Sequence, residues 1–157
     1  MNIRKARPAD ALVIADFNRR LAQETESLLL DPTTVKRGVR ALLNDNTKGI
    51  YFVAEERDVV VGQLLITYEW SDWRNGYFWW IQSVYVAQDY RQAGVFGALF
   101  DHVQRLAKSK SAVCGLRLYV ESSNRRAQRV YERFGMIPTH YKIYETSFLR
   151  TPHLPRA

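Results

Sequence analysis

The chain has a single cysteine, Cys114, among 157 residues. No intrachain disulfide can form, which agrees with a reducing compartment. A lone cysteine is more often a small buried hydrophobe than a nucleophile. The three histidines, His102, His140 and His153, are scattered. With one cysteine and no His-x-x-x-His pair, no metal site is expected. No apolar run approaches the ~20 residues needed to span a bilayer. Met1-Asn2-Ile3-Arg4-Lys5 leads into no signal-like stretch. The expectation is a cytoplasmic protein with no membrane partner. Repeats, low-complexity tracts and Gly/Ser-rich linkers are also missing. That pattern and the length suit one domain, residues 1–157, around one core.

What is present is ordinary for a globular protein: 46% hydrophobic and 25% charged residues. The net charge of +7 is less ordinary. It fits a polyanionic macromolecule, a polyanionic small ligand, or a solvated basic surface. The basic residues are spread along the chain without the dense block of a nucleic-acid tail. No nucleic-acid partner is therefore expected. A few of them suit the phosphates of a nucleotide cofactor.

The periodicity gives an element order of βααβββαβαβ. Residues 3–7 form a short edge strand. Asp10 is a plausible N-cap, and Val13, Ile14, Phe17 and Leu21 follow at helical spacing. A second helix opens near Asp31-Pro32, with Val35, Val39, Leu42 and Leu43 on one face. Residues 50–56 and 59–70 read as a strand pair turning at Arg57-Asp58. Asn75-Gly76 signals a second hairpin turn. The apolar run 77–86 suits a strand covered on both faces. Val95, Phe96, Leu99, Phe100, Val103 and Leu106 then recur at helical spacing. Residues 115–120 form a short strand. Asn124 begins a helix with Ala127, Val130, Tyr131 and Phe134 on one face, and Gly135 suits its C-terminus. Residues 137–148 alternate and read as final strands. This is an α/β chain with a mixed sheet, antiparallel early and parallel later.

The run Tyr90-Arg91-Gln92-Ala93-Gly94-Val95-Phe96-Gly97 joins the apolar strand to the amphipathic helix. Its glycines let backbone amides approach a ligand. The helix offers N–H groups outside its ladder and the positive end of its dipole, a site for phosphate. Arg91 can add a charge-assisted hydrogen bond. The same residues also read as a plain strand-to-helix turn. Neither a P-loop nor a Rossmann fingerprint is present.

Two segments together carry a family resemblance. Ser83-Val84-Tyr85-Val86 followed by residues 89–95 resembles the acetyl-CoA-binding motif of the GNAT N-acetyltransferases, Arg/Gln-x-x-Gly-x-Gly/Ala after a strand. Downstream, Asn124, Ala127, Tyr131 and Gly135 resemble the family's Asn-x-x-Ala-x-x-x-Tyr-x-x-x-Gly-Phe segment. Order and separation match, and the resemblance covers essentially the whole chain. It is distantly similar to the spermidine/spermine (diamine) branch. One departure stands out: Phe96 occupies the place of a small residue, and Gly97 comes one position late. Phe96 would either point into the core or narrow the site near the pyrophosphate.

The resemblance implies a fold of six to seven strands and about four helices, splayed at the cofactor site. It implies acetyl-CoA as co-substrate, no metal, a small-molecule amine as acceptor, and a homodimer. Cofactor contacts fall to Val84, Tyr85, Val86, Arg91, Gln92, Ala93, Gly94, Val95, Phe96, Gly97, Asn124 and Tyr131. An alkylammonium of pKa ~10 must lose a proton before it attacks. The thioester oxygen needs donors, and the leaving thiolate needs a proton. The 84–86 backbone suits the oxygen. Tyr131 suits the thiolate as general acid, unless it is only a core aromatic of its helix. Asn124 would bond the pantetheine arm, and it also suits a helix N-cap. Some diamine-branch members carry a base where this chain has Gln82, which cannot accept the proton. Glu69 and Glu24 are the candidate bases; Glu24, Glu26, Asp72 and Gln82 are the candidate substrate contacts. The aromatics between residues 68 and 80 read as core plus interface, or as walls of an acceptor pocket. The rival readings are a non-catalytic acetyl-CoA-binding module and an enzyme acting on a protein amine.

Overall fold

A computed structural model describes residues 1–148; His153 lies outside them. The chain falls into two compact units, Met1–Leu118 and Tyr119–Ala157. The first contains β1 (Asn2–Lys5), α1 (Ala11–Glu26), α2 (Pro32–Leu43), β2 (Ile50–Glu56), β3 (Val59–Ser71), β4 (Gly76–Val86), α3 (Val95–Lys108) and β5 (Val113–Arg117). The second contains α4 (Arg125–Arg133). The order follows the sequence reading through α4.

The sheet has five strands in the order β1-β2-β3-β4-β5, among the described residues. Strands β1 to β4 pair antiparallel, and β5 lies parallel to β4. The expected count of six to seven is thereby corrected. Residues 137–148 alternate apolar and polar but form no strand. Alternation specifies two faces; it does not supply the neighbouring backbone that a ladder needs.

Helices cover both faces of the sheet. Ile14, Ala15 and Val39 of α1 and α2 cluster with Tyr51, Val53 and Leu65. On the other face, Leu99, Phe100 and Val103 of α3 are wholly buried, and the Phe52 ring lies 5.2 Å from His102. Strand β2 is therefore buried on both faces, which explains its unbroken apolar run. Asp31 caps α2 by accepting the Thr34 amide at 2.7 Å. No helix among the described residues is long and apolar enough to cross a membrane.

Asp10 sits at the N-cap position of α1 but bonds no amide of that helix. Its carboxylate turns back to the Arg7 amide at 2.6 Å and to Arg4 Nη1 at 2.8 Å. Arg4 also donates to Glu55 at 2.6 Å, which ties β1, β2 and the start of α1 together. Burial opposes ionisation of Asp10, but the Arg4 and Arg7 donors outweigh it and hold the carboxyl below its ordinary value. The stabilisation is thus complete above the unfolded pKa of ~3.9 and is lost as pH falls through the folded value. Urea unfolding of Asp10→Asn should show a loss of about 2 kcal/mol at pH 7. The loss should shrink as pH falls below ~4.

Candidate active site

The site is built where β4 departs from regular pairing. Gln63 of β3 faces Tyr85, but Leu65 faces Gln82. Two residues of β4, Ser83 and Val84, therefore oppose Leu64 alone, which is a β-bulge. Ser83 adopts φ +47°, in the left-handed region that costs a non-glycine residue ~1 kcal/mol. On its other edge β4 pairs with β5 only from Tyr77 to Trp80. Val84, Tyr85 and Val86 thus lie beyond the β5 ladder while still held by β3. This is the splay that the family resemblance implies.

A loop carries the chain from β4 into α3. Gln92 and Gly94 both have positive φ, 68° and 77°. A Cβ on Gly94 would meet nothing within 4 Å, so glycine serves the backbone angle there. The first ladder bond of α3 runs from the Ala98 amide to the Gly94 carbonyl at 3.0 Å. Earlier amides of the turn lie outside the ladder and face the loop. Gly97 stands in this first turn and Ala93 is exposed just ahead of it. Phe96 is half-buried, and its ring packs along the helix 5.8 Å from Phe100. Gly62 of β3 sets how near α3 comes to the sheet. A Cβ there would stand 2.8 Å from Val95 Cγ1 and 3.2 Å from the Tyr85 carbonyl oxygen. Beside the loop lies a cavity of about 390 Å³, lined in part by Arg57, Val61, Tyr90, Ala93 and Val95.

Arg91 is anchored on three sides. Its Nε donates to the Val86 carbonyl at 3.0 Å, and its Nη2 to Glu24 at 2.6 Å. Its guanidinium lies 5.4 Å from the centre of the Tyr85 ring. The other Glu24 oxygen accepts the Tyr85 hydroxyl at 2.8 Å. Burial opposes ionisation of Glu24, yet the Tyr85 and Arg91 bonds prevail and hold it below the ordinary carboxylate range. Burial and the Glu24 carboxylate push the Tyr85 phenol up.

The remaining carboxylates are dispersed. Glu26 is exposed at the last residue of α1. Glu69 faces Phe78 across the ladder, where it accepts Trp80 Nε1 at 2.5 Å and Arg117 Nη1 at 2.7 Å. Asp72 is exposed in the β3–β4 turn, where it accepts the Trp73 amide at 2.9 Å. At ~3.3 Å per residue that turn is roughly 30 Å along β4 from the α3 loop. Gln82 adjoins the bulge and donates to Thr67 Oγ1 at 2.5 Å. The structure thus gathers Glu24, Arg91, Tyr85 and Gln82 near the kinked end of β4 and leaves Asp72 at the other end.

In the second unit, Asn124 caps α4 by accepting the Ala127 amide at 3.0 Å. Gly135, at φ +81°, ends the helix, and the Met136 amide reaches back to the Tyr131 carbonyl at 3.1 Å. Burial raises the Tyr131 phenol above its ordinary value. Among the described residues no cluster of three His, Cys, Asp or Glu could hold a metal.

Sequence reasoning missed a buried polar group beneath the bulge. Gln63 is wholly buried. Its Nε2 donates to Asn18 Oδ1 at 2.7 Å and to the Ser83 carbonyl at 3.1 Å. Asn18 Nδ2 donates to the Tyr51 hydroxyl at 2.9 Å. The signal was a lone glutamine inside Val59-Val60-Val61-Gly62-Gln63-Leu64-Leu65-Ile66.

A family model for the acetyltransferase (GNAT) family matches residues 16–136. Among solved structures, a possible acetyltransferase from Clostridium difficile 630 is similar at 46% identity and a TM-score of 0.90, covering 95% of this chain and 98% of that one. A predicted acetyltransferase with acetyl-CoA from Clostridium acetobutylicum is similar at 20% identity and a TM-score of 0.74, covering 97% and 99%. The ribosomal-protein-alanine N-acetyltransferase of Brucella melitensis biovar Abortus 2308 is similar at 19% and 0.75, covering 94% and 100%. These last two likenesses are of fold. Among curated proteins nothing matches.

The Gly62 contact yields a direct test of how the helix is seated. Gly62→Ala should lower unfolding free energy by about 2 kcal/mol through overpacking against Val95. Amide exchange in the first turn of α3 should accelerate with it.

Proposed function

The chain belongs to the acetyltransferase (GNAT) family, and we propose that it transfers acetyl from acetyl-CoA directly to a small cationic primary amine. The observation that carries this reading is the end of β4, splayed from β5 and followed by a loop that opens the N-terminus of α3. Backbone N–H groups at such a terminus suit the diphosphate of the co-substrate, with Gln92, Ala93, Gly94, Val95, Phe96 and Gly97 around it. The exposed backbone edge of Val84, Tyr85 and Val86 suits the pantetheine arm and the thioester oxygen. The motif resemblance assigns Asn124 to the same arm.

The acceptor side is drawn from charge. Glu24 is held ionised, and only one hydrogen bond to each oxygen is used. A carboxylate can accept about four, so capacity remains for an ammonium. The same stabilisation makes Glu24 a poor base. Glu69 is committed to Arg117 and Trp80. We therefore assign Glu24 to amine binding and deprotonation to water near Gln82. The motif resemblance assigns Tyr131, whose phenol burial raises above its ordinary value, the role of proton donor to the leaving thiolate. The exposed Trp70, Trp73 and Tyr77 support a homodimer with aromatics at its interface.

Acetyl-CoA at 100 times its Kd should add about 2.7 kcal/mol of stability in a thermal-shift assay. An amine panel read by free CoA thiol should show turnover with diamines or polyamines. No shift with acetyl-CoA would overturn the reading, and a shift without turnover would leave a binding module. Tyr131→Phe should lower kcat at least tenfold with little change in acetyl-CoA affinity. Glu24→Ala should act mainly on the KM for the amine.

A further inference from the structure

We propose that Gln63 is a positioning residue that, with Asn18 and Tyr51, clamps the Ser83 kink and so holds the end of β4 open for the thioester. This rests on the acetyl-transfer reading above. The kink is not self-sustaining: serine has no preference for φ +47°. It persists because its surroundings determine it. The Gln63 amide grips the Ser83 carbonyl. Asn18 accepts from Gln63 and donates to Tyr51, so that α1, β2, β3 and β4 each contribute one member of a hydrogen-bonded chain that ends on Ser83.

The clamp is poorly explained by stability alone. Gln63 is wholly buried in an apolar strand, and its Oε1 has no hydrogen-bond partner among the described residues. A buried unsatisfied acceptor costs ~1–3 kcal/mol. Gln63 also faces Tyr85, whose hydroxyl holds Glu24. A kink that drifts would displace the backbone edge at 84–86 and the carboxylate beyond it together.

The test uses the full chain as wild type, Gln63→Leu, Asn18→Ala, and Gln63→Leu combined with Ser83→Gly. Amide hydrogen exchange at residues 83–87 reports the kink without any reference to activity. Acetyl-CoA affinity, kcat and KM report its consequence. Gln63→Leu should speed exchange at 83–87 at least tenfold and weaken acetyl-CoA binding about tenfold. Asn18→Ala should do the same to a smaller degree, and it carries the test if Gln63→Leu does not fold. Glycine adopts the left-handed region freely. Adding Ser83→Gly should therefore recover at least half of the lost affinity on a logarithmic scale. A purely structural role for Gln63 would give no such rescue. Exchange and affinity within twofold of wild type in both single variants would overturn the clamp, and so would a double variant no better than Gln63→Leu. If the wild type transfers no acetyl group, the activity reading fails while the exchange data still decide the clamp.

Discussion

Strand β4 must serve two neighbours that run in opposite directions. It is antiparallel to β3 along most of its length and parallel to β5 at its beginning only. Hydrogen bonds of the two ladders differ in spacing and slant, and β5 is only five residues long. The two edges of β4 are therefore used unequally. The first residues of β4 serve both neighbours; the last ones keep β3 and leave the other edge to something else. The bulge at Ser83–Val84 marks where the change takes hold, and the loop and helix that follow inherit their direction from it.

Close contact then fixes what direction alone would leave loose. Glycine at 62 lets Val95 settle on the sheet, and glycine at 76 lets the Tyr77 amide meet the Ala112 carbonyl at 2.7 Å. One contact seats the start of α3, and the other seats the start of β4 beside β5. Ends that would otherwise hang on flexible turns are set by van der Waals distance.

Local features were readable from the sequence because their signals are local. Asp31, Asn124 and Gly135 act within four residues of themselves; the turn signalled at Asn75-Gly76 spans residues 72–75, with Gly76 already in β4. The splayed strand and the α3 loop were reached by resemblance as much as by pattern. What could not be read depends on partners far along the chain. Gln63 meets Asn18 across 45 positions and Ser83 across 20. Nothing near residue 63 announces either partner. The pairing of Glu69 with Arg117 was hidden in the same way. The final strands were overcounted because residues 137–148 show a facial pattern without a neighbouring ladder.

The Arg91 guanidinium is the loop's one basic side chain between residues 90 and 97, and it is already paired with Glu24. An anion arriving at the loop therefore meets a neutralised pair and the dipoles of the α3 backbone. Attraction of that kind acts at short range, within the first turn of the helix. Whatever the +7 charge of the chain does at a distance, grip at this loop is a matter of backbone geometry.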